Sequence, residues 1–347
     1  MNASFSARLI SWQRTFGRHE LPWQNCNPYH VWLSEIMLQQ TQVVTVIPYF
    51  QRFIARFPDI DTLAAAPEEE VLFLWRGLGY YARARNLHAA AQYVVHQLNG
   101  QLPNTRAQLE QLKGVGRSTA AAICVFAFGK KEAICDGNVR RVLTRHHGIL
   151  DFIEAPKTQQ QLWTLAEALL PDAADDLRSY TQGLMDLGSL ICTRARPKCA
   201  DCPVKTDCYA LKNQQQMQLP RRKPKKAPPA RNGYFVLCRN DDGEIYLQKR
   251  ARRGIWGGLW SLPWFETEHE AKMWIAAQGF SWQSSSDSPV MMHRFTHFHL
   301  SMYLLTAQTT QKSTDFYAPD AVAQMALPAP LMTLLNAEND PQKPLFS

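Results

Sequence analysis

Cys192, Cys199, Cys202 and Cys208 follow the spacing C-x6-C-x2-C-x5-C. Structural zinc sites usually come as two short knuckles, and this set has only one short pair. Four thiolates without the second knuckle suit a 4Fe-4S cluster at least as well. Zinc and free thiols remain the alternatives. The loop between the first two cysteines, TRARPK, carries Arg194, Arg196 and Lys198. Ligands at both ends of such a loop would hold its cations against phosphate; a solvated basic loop is the plainer reading.

A second chemistry needs carboxyl groups. In residues 33–44, LSEIMLQQTQVV, Glu35 is the one ionisable side chain of an apolar, amide-rich run that reads as a single helix. Glu35, Gln39 and Gln42 then share one face. A carboxyl partly buried there has a raised pKa and can donate a proton, although a solvated stripe on a surface helix fits the same pattern. Asp136, in CDGNVRRV, is placed to cap a helix that begins near Val139. Held by backbone N–H groups, it would stay ionised and stabilise a cationic centre, with Asn138 beside it to orient sugar or water. One acid and one carboxylate are the tools of glycosidic hydrolysis.

A third feature is LKGVGRSTAA at 112–121. A dinucleotide loop needs a strand before its glycines, and a P-loop needs G-K-[ST]. Neither is present. What remains is a tight turn, Gly114 to Gly116, whose N–H groups at a helix start can hold one nucleic-acid phosphate. A purely structural helix-to-helix turn is the alternative.

These residues need elements to position them. Apolar spacing from residue 5 to about 190 is helical, with segments at 62–75, 82–98, 118–128, 139–147, 158–170 and 174–191, and no alternating strand interrupts it. The first domain, 1–210, is therefore predicted all-α and includes the cysteine module at 192–208. Residues 211–232 are proline-rich and carry Lys212, Arg221, Arg222, Lys223, Lys225, Lys226 and Arg231 with no acid, so nearly all of the +8 net charge sits there. They read as an extended basic linker, and the folded parts are left close to neutral. From 233 to 347 the period changes to two: GYFVLCR and EIYLQKR flank a turn, HRFTHFHLSMYLL reads as a strand pair or one long strand, and 268–278 and 327–337 read as helices. This second domain is α+β. No run of 18 apolar residues and no secretory leader is found. The expectation is a cytoplasmic protein that does not engage a membrane.

LKGVGRSTAAAI resembles the helix–hairpin–helix of a DNA glycosylase superfamily, and the cysteine spacing is similar to that of its iron–sulfur members. With CDGNVRRV between them, the order resembles both endonuclease III and the adenine glycosylases of the MutY family over most of residues 5–210. Lys113 departs from the proline usual in the family. Bifunctional members place a lysine at the position of Ser118, and its amine forms a Schiff base that leads to strand cutting. Serine cannot, so the resemblance implies a monofunctional glycosylase. LSEIMLQQ is similar to the catalytic helix of adenine glycosylases, whose glutamate protonates adenine N7. This implies Glu35 as general acid, and Asp136 as carboxylate stabiliser or covalent partner. It also implies Gln40 as a wedge that fills the gap left by an extruded nucleotide, Tyr81 as a stacking residue, arginines 76, 83 and 85 as phosphate contacts, and Asp186 within reach of the adenine. A core tyrosine and solvated arginines weigh equally as alternatives.

In the second domain, GIWGGLWSLPWFE after a hairpin resembles a Nudix-type core. The next segment, ETEHEAKMWIAAQGF, lacks the glutamate-dense helix that holds Mg²⁺ on a diphosphate, so diphosphate hydrolysis is not expected. In adenine glycosylases such a domain recognises 8-oxoguanine, and Phe295, Thr296 and His297 align with a Phe-Ser-His element. Thr296 keeps the hydroxyl and adds a methyl. Together these imply a monomer acting on double-stranded DNA in base excision repair, removing adenine opposite 8-oxoguanine or guanine. The rivals are an endonuclease III-like pyrimidine glycosylase/lyase and a non-catalytic lesion-binding protein.

Overall fold

The computed structural model describes residues 3–224 and 226–339. Lys225 of the basic segment and residues 340–347 of the expected second domain lie outside the described residues. Helices run along the chain as α1 (Phe5–Phe16), α2 (Pro28–Leu38), α3 (Val43–Arg56), α4 (Ile60–Ala65), α5 (Glu68–Leu74), α6 (Ala82–Gln97), α7 (Arg106–Leu109), α8 (Arg117–Phe128), α9 (Gly137–His147), α10 (Pro156–Ala168), α11 (Ala174–Asp186) and α12 (Tyr209–Lys212). Backbone contacts divide the chain into two compact units. One joins the chain through Ala65 to the stretch from Asn86 into the basic segment; the other joins Ala66–Arg85 to the chain from Lys226 onward.

The first unit is helical because its breaks are capped. Asn27 accepts the His30 N–H at 2.9 Å, and Pro28 takes the first helical position of α2, where a missing N–H costs nothing. Asp136 caps α9 by accepting the N–H groups of Asn138 and Val139 at 3.1 and 2.9 Å. Leu9, Ile134, Val139, Leu143, Leu162 and Leu184 pack with Cys135 into a core that holds α1, α9, α10 and α11 together. Past Asp186 the chain continues as a π-helical turn, Leu187–Ile191, and delivers Cys192.

Two expectations for this unit are corrected. The run LSEIMLQQTQVV is not one helix: α2 stops at Leu38, Gln40 takes the left-handed region at φ 58°, and α3 starts at Val43 with Gln42 as its cap. A left-handed residue cannot continue an α-helix, so Gln42 leaves the face of Glu35. The basic segment is also not free at its start. Leu219 is buried and its carbonyl accepts Arg145 Nε at 2.9 Å. The Ile153 N–H donates to Arg221 O at 2.9 Å, and the Lys223 N–H to Glu154 Oε2 at 3.2 Å.

The second unit is built on a sheet ordered β6-β8-β1-β2-β9, with β5 on β1 and β7 on β8. Its centre is the parallel pair of β1 (Ala230–Asn240) and β8 (His299–Thr309). The remaining strands are β2 (Ile245–Tyr246), β3 (Gln248–Lys249), β4 (Trp260–Ser261), β5 (Trp264–Phe265), β6 (Ser281–Ser285), β7 (Met291–Arg294) and β9 (Phe316–Tyr317), and the helices are α13 (Glu268–Ala277), α14 (Pro319–Ala323) and α15 (Ala329–Asn339). Ala271 and Ile275 of α13 cover Val236, Cys238, Leu305 and Ala307. HRFTHFHLSMYLL is a strand pair, β7 and β8, closed by a turn at 295–298. The expected strand EIYLQKR splits at buried Leu247, whose N–H goes to Asp315 O; β2 stays in the main sheet and β3 pairs with β4.

Candidate active site

Glu35 sits on α2 and Asp136 at the start of α9, and both line one cleft of about 1410 Å³ in the first unit. Gln40, Ser118 and Asn138 line it too. Removal from water, with the Asp136 charge as the smaller second cause, pushes the Glu35 carboxyl from 4.5 up to about 8. At neutral pH it therefore carries its proton, as a general acid must. Asp136 accepts two backbone N–H bonds and faces Arg141 and Arg140, all of which favour its charged form, yet burial outweighs them and its pKa rises. Desolvation, more than the two capping bonds, is the largest influence on it.

Ser118 is the second residue of α8. Its Oγ accepts the Cys135 N–H at 3.0 Å, so its hydroxyl ties α8 to the residue before Asp136. Asn138 Oδ1 accepts Arg141 Nη2 at 2.9 Å, and the same guanidinium donates to Gly188 O at 2.6 Å and Cys192 O at 2.8 Å. The sequence reading missed Arg141. Its only trace there is a cation one helical turn after Asn138. Asp186 is corrected: it is fully buried and takes the Arg18 N–H and Nε at 2.9 and 2.7 Å and Gln182 Nε2 at 2.9 Å. A carboxylate so filled is a structural anchor, not a reader of a base.

The hairpin turn has the geometry expected of it. Gly114 is left-handed at φ 83°, a conformation that costs glycine little. The Val115 N–H closes onto Leu112 O at 3.1 Å with Lys113 exposed between them, so no proline is needed to form the turn. Gly116 caps α8 without a side-chain bond, so no capping side chain covers the first N–H groups of α8.

The four cysteines line one small cavity of about 30 Å³ together with Arg145 and Gln216. Arg145 Nη1 donates to Cys192 Sγ at 3.3 Å and to Thr193 O at 2.8 Å, and its Nη2 to Arg194 O at 3.1 Å. Burial, with smaller repulsion from the other three thiols, pushes Cys202 up to about 12. Such thiols stay protonated unless a bound cation draws off their protons, and the donor set of four sulfurs around one cavity fits an iron–sulfur cluster. Among the described residues no three His, Cys, Asp or Glu side chains, these four cysteines included, stand in the arrangement of a metal site. Between Cys192 and Cys199, a backbone bond (Lys198 N–H to Ile191 O) and a side-chain bond (Thr193 Oγ1 to Arg196 O) fix the loop while Arg194 and Arg196 stay exposed.

In the second unit Tyr81, the expected stacking residue, is buried and its hydroxyl accepts the Gly77 N–H at 3.4 Å; Tyr80, at φ 50° and 46% exposed, is its open neighbour. The arginines expected on phosphates instead hold carbonyls. Arg76 Nη1 donates to Ala323 O at 2.7 Å, Arg83 Nη2 to Leu78 O and Gly79 O, and Arg85 to Gly257 O. Thr296 and His297 are exposed at the tip of the turn between β7 and β8, where the Phe295 N–H bonds Phe298 O at 2.9 Å. Phe295 stacks on Phe298 and lies 5.6 Å from the Trp256 ring.

Residues 33–168 match the HhH-GPD superfamily base excision DNA repair protein family, and residues 234–337 match the NUDIX domain. An adenine DNA glycosylase of Buchnera aphidicola subsp. Baizongia pistaciae is 39% identical over 86% of this chain and 84% of its own. One from Buchnera aphidicola subsp. Schizaphis graminum is 33% identical over 95% of this chain and 97% of its own. Among solved structures, a thermostable thymine-DNA glycosylase superposes with TM-score 0.55 at 29% identity, over 60% of this chain and 95% of its own.

Proposed function

The chain belongs to the adenine DNA glycosylase family, and from that premise we propose that it excises adenine mispaired with 8-oxoguanine or guanine and leaves the strand uncut. The observation that carries this is the Glu35–Asp136 pair in one cleft, with Ser118 rather than an amine beside it. Glu35, protonated at neutral pH, gives its proton to N7 of an extruded adenine. The bond from C1′ to N9 breaks, its electron pair leaves with the base, and positive charge spreads over the sugar ring. Asp136 in its charged form stabilises that cation or bonds C1′. Water completes the abasic site and gives its proton to solvent or to the Glu35 carboxylate. Ser118 offers no nitrogen for a Schiff base, so the strand stays whole.

DNA is the partner. The turn Gly114–Gly116, with Arg194 and Arg196 on the cysteine loop, supports a hold on its backbone; Gln40 enters the stack; and Phe295, Thr296 and His297 meet the base opposite. A 4Fe-4S cluster on Cys192, Cys199, Cys202 and Cys208 would serve as a rigid anchor for that loop. The reading places the enzyme in the cytoplasm, on nucleoid DNA, as a monomer. Single-turnover incubation with an 8-oxoguanine:adenine duplex tests it. Adenine release with strand breaks only after alkali is the expected result. Breaks before alkali would indicate a lyase, and tight binding without release a lesion-binding protein; either would overturn the proposal.

A further inference from the structure

The left-handed Gln40 stands next to a side chain with a different task. Gln39 Nε2 donates to Gly114 O at 3.1 Å and to Thr119 Oγ1 at 3.3 Å. One amide thus spans the hairpin turn and the first turn of α8 from the end of α2. At its own backbone, the Gln39 N–H bonds Ile36 O and the Thr41 N–H bonds Leu38 O, both at 3.3 Å, and Thr41 Oγ1 reaches Gln39 O at 3.4 Å. The turn that holds Gln40 at φ 58° is therefore closed on both sides of Gln39. Asn86 packs close behind the hairpin turn. A Cβ at Gly114 would lie 3.1 Å from Asn86 Cβ, tighter than ordinary packing allows.

We propose that Gln39 is a positioning residue that fastens the backbone-holding turn at Gly114 to the turn that presents Gln40, so that gripping a phosphate and wedging the stack are one event. The chemistry asks for an amide. A single NH₂ serves a carbonyl and a hydroxyl at once, a carboxylate would set its lone pairs against Gly114 O, and a thioether would fill the space with no donor. The inference rests on the reading of the site given above. It adds that the energy of phosphate contact is delivered to the turn that presents Gln40, since the Gln39 amide runs from that turn to Gly114 and Thr119.

Gln39→Met and Gln39→Glu in the full chain, measured by single-turnover adenine release at saturating enzyme, separate extrusion from chemistry. Two duplexes are used: adenine opposite guanine, and adenine opposite a tetrahydrofuran abasic analogue, where no partner base has to be unpaired. Opposite guanine, both variants slow by on the order of tenfold, the combined worth of the two lost bonds to Gly114 O and Thr119 Oγ1. Opposite the analogue, they stay within about twofold of the parent chain. An equal fall on both duplexes, or no fall opposite guanine, overturns the proposal. Gln39→Met keeps the volume, so a folding defect in Gln39→Glu does not remove the test. A parent chain that releases adenine from neither duplex overturns the proposed function and is distinguishable from failure of the bridge.

Discussion

Ser118 Oγ takes the Cys135 N–H at 3.0 Å, so the first turn of α8 is fastened to the residue immediately before Asp136. Cys135 is fully buried, and the Ser118 hydroxyl meets its N–H from the wall of the cleft. Ser118→Ala leaves a buried N–H unpaired, which costs about 1–3 kcal/mol. Chemical denaturation should show that loss as a lower midpoint, and adenine release should slow because Asp136 loses its tether. A midpoint equal to that of the parent chain would show that the bond carries no weight.

Glu35→Gln removes the proton donor and keeps the shape. Adenine release should fall by about 10²–10⁴, the usual worth of a positioned acid, while binding to the mispaired duplex is retained. The stability effect has a sign. The folded pKa of Glu35, about 8, lies above its ordinary 4.5. Stability linked to this group is complete below about 4.5 and is lost as pH rises through about 8. Glutamine cannot ionise, so the variant should melt above the parent chain by a margin that grows between pH 5 and pH 9. A margin that does not change with pH would contradict the burial of this carboxyl.

The same groups shape the rate. Release in single turnover should fall above pH 8 as Glu35 loses its proton, by about tenfold per pH unit in the limit. It should fall again on the acid side as Asp136 gains one, at a pH higher than for an ordinary carboxylate, because burial raises its pKa. The two limbs report the pair together and not either group alone. A profile flat from pH 6 to pH 9 would remove Glu35 as the donor.

Much of this site was legible in residue types. The Asp136 cap follows from D-G-N before a helical run, and the hairpin follows from two glycines at the start of an alanine-rich helix. The end of α2 was not legible. LSEIMLQQTQVV keeps its apolar spacing straight through the break, because Gln40 holds a left-handed backbone that no periodicity reports. The partners of Arg76, Arg83 and Arg85 were hidden for a related reason. Backbone carbonyls have no letter in a sequence, and a guanidinium that fills them looks the same as one waiting for phosphate. Tyr81 and Tyr80 are adjacent and alike in type, and only packing tells which one is buried.

Gly188 shows how closely the π-helical turn approaches the site. A Cβ there would stand 2.8 Å from Asn138 Cβ, inside any real contact. One Arg141 nitrogen, Nη2, holds both Asn138 Oδ1 and Gly188 O, so neither residue can step aside without breaking that bridge. Gly188→Ala should therefore push Asn138 and the start of α9 away from Arg141. Overpacking of this kind costs about 1–3 kcal/mol, and the displaced N-terminus of α9 should slow adenine release by at least about tenfold. Arg141→Lys on the same background tests the cause, since lysine cannot bridge three acceptors in a plane. If the crowding acts through the bridge, the double variant loses little more than Gly188→Ala alone; full additivity of the two losses would show that Gly188 acts elsewhere.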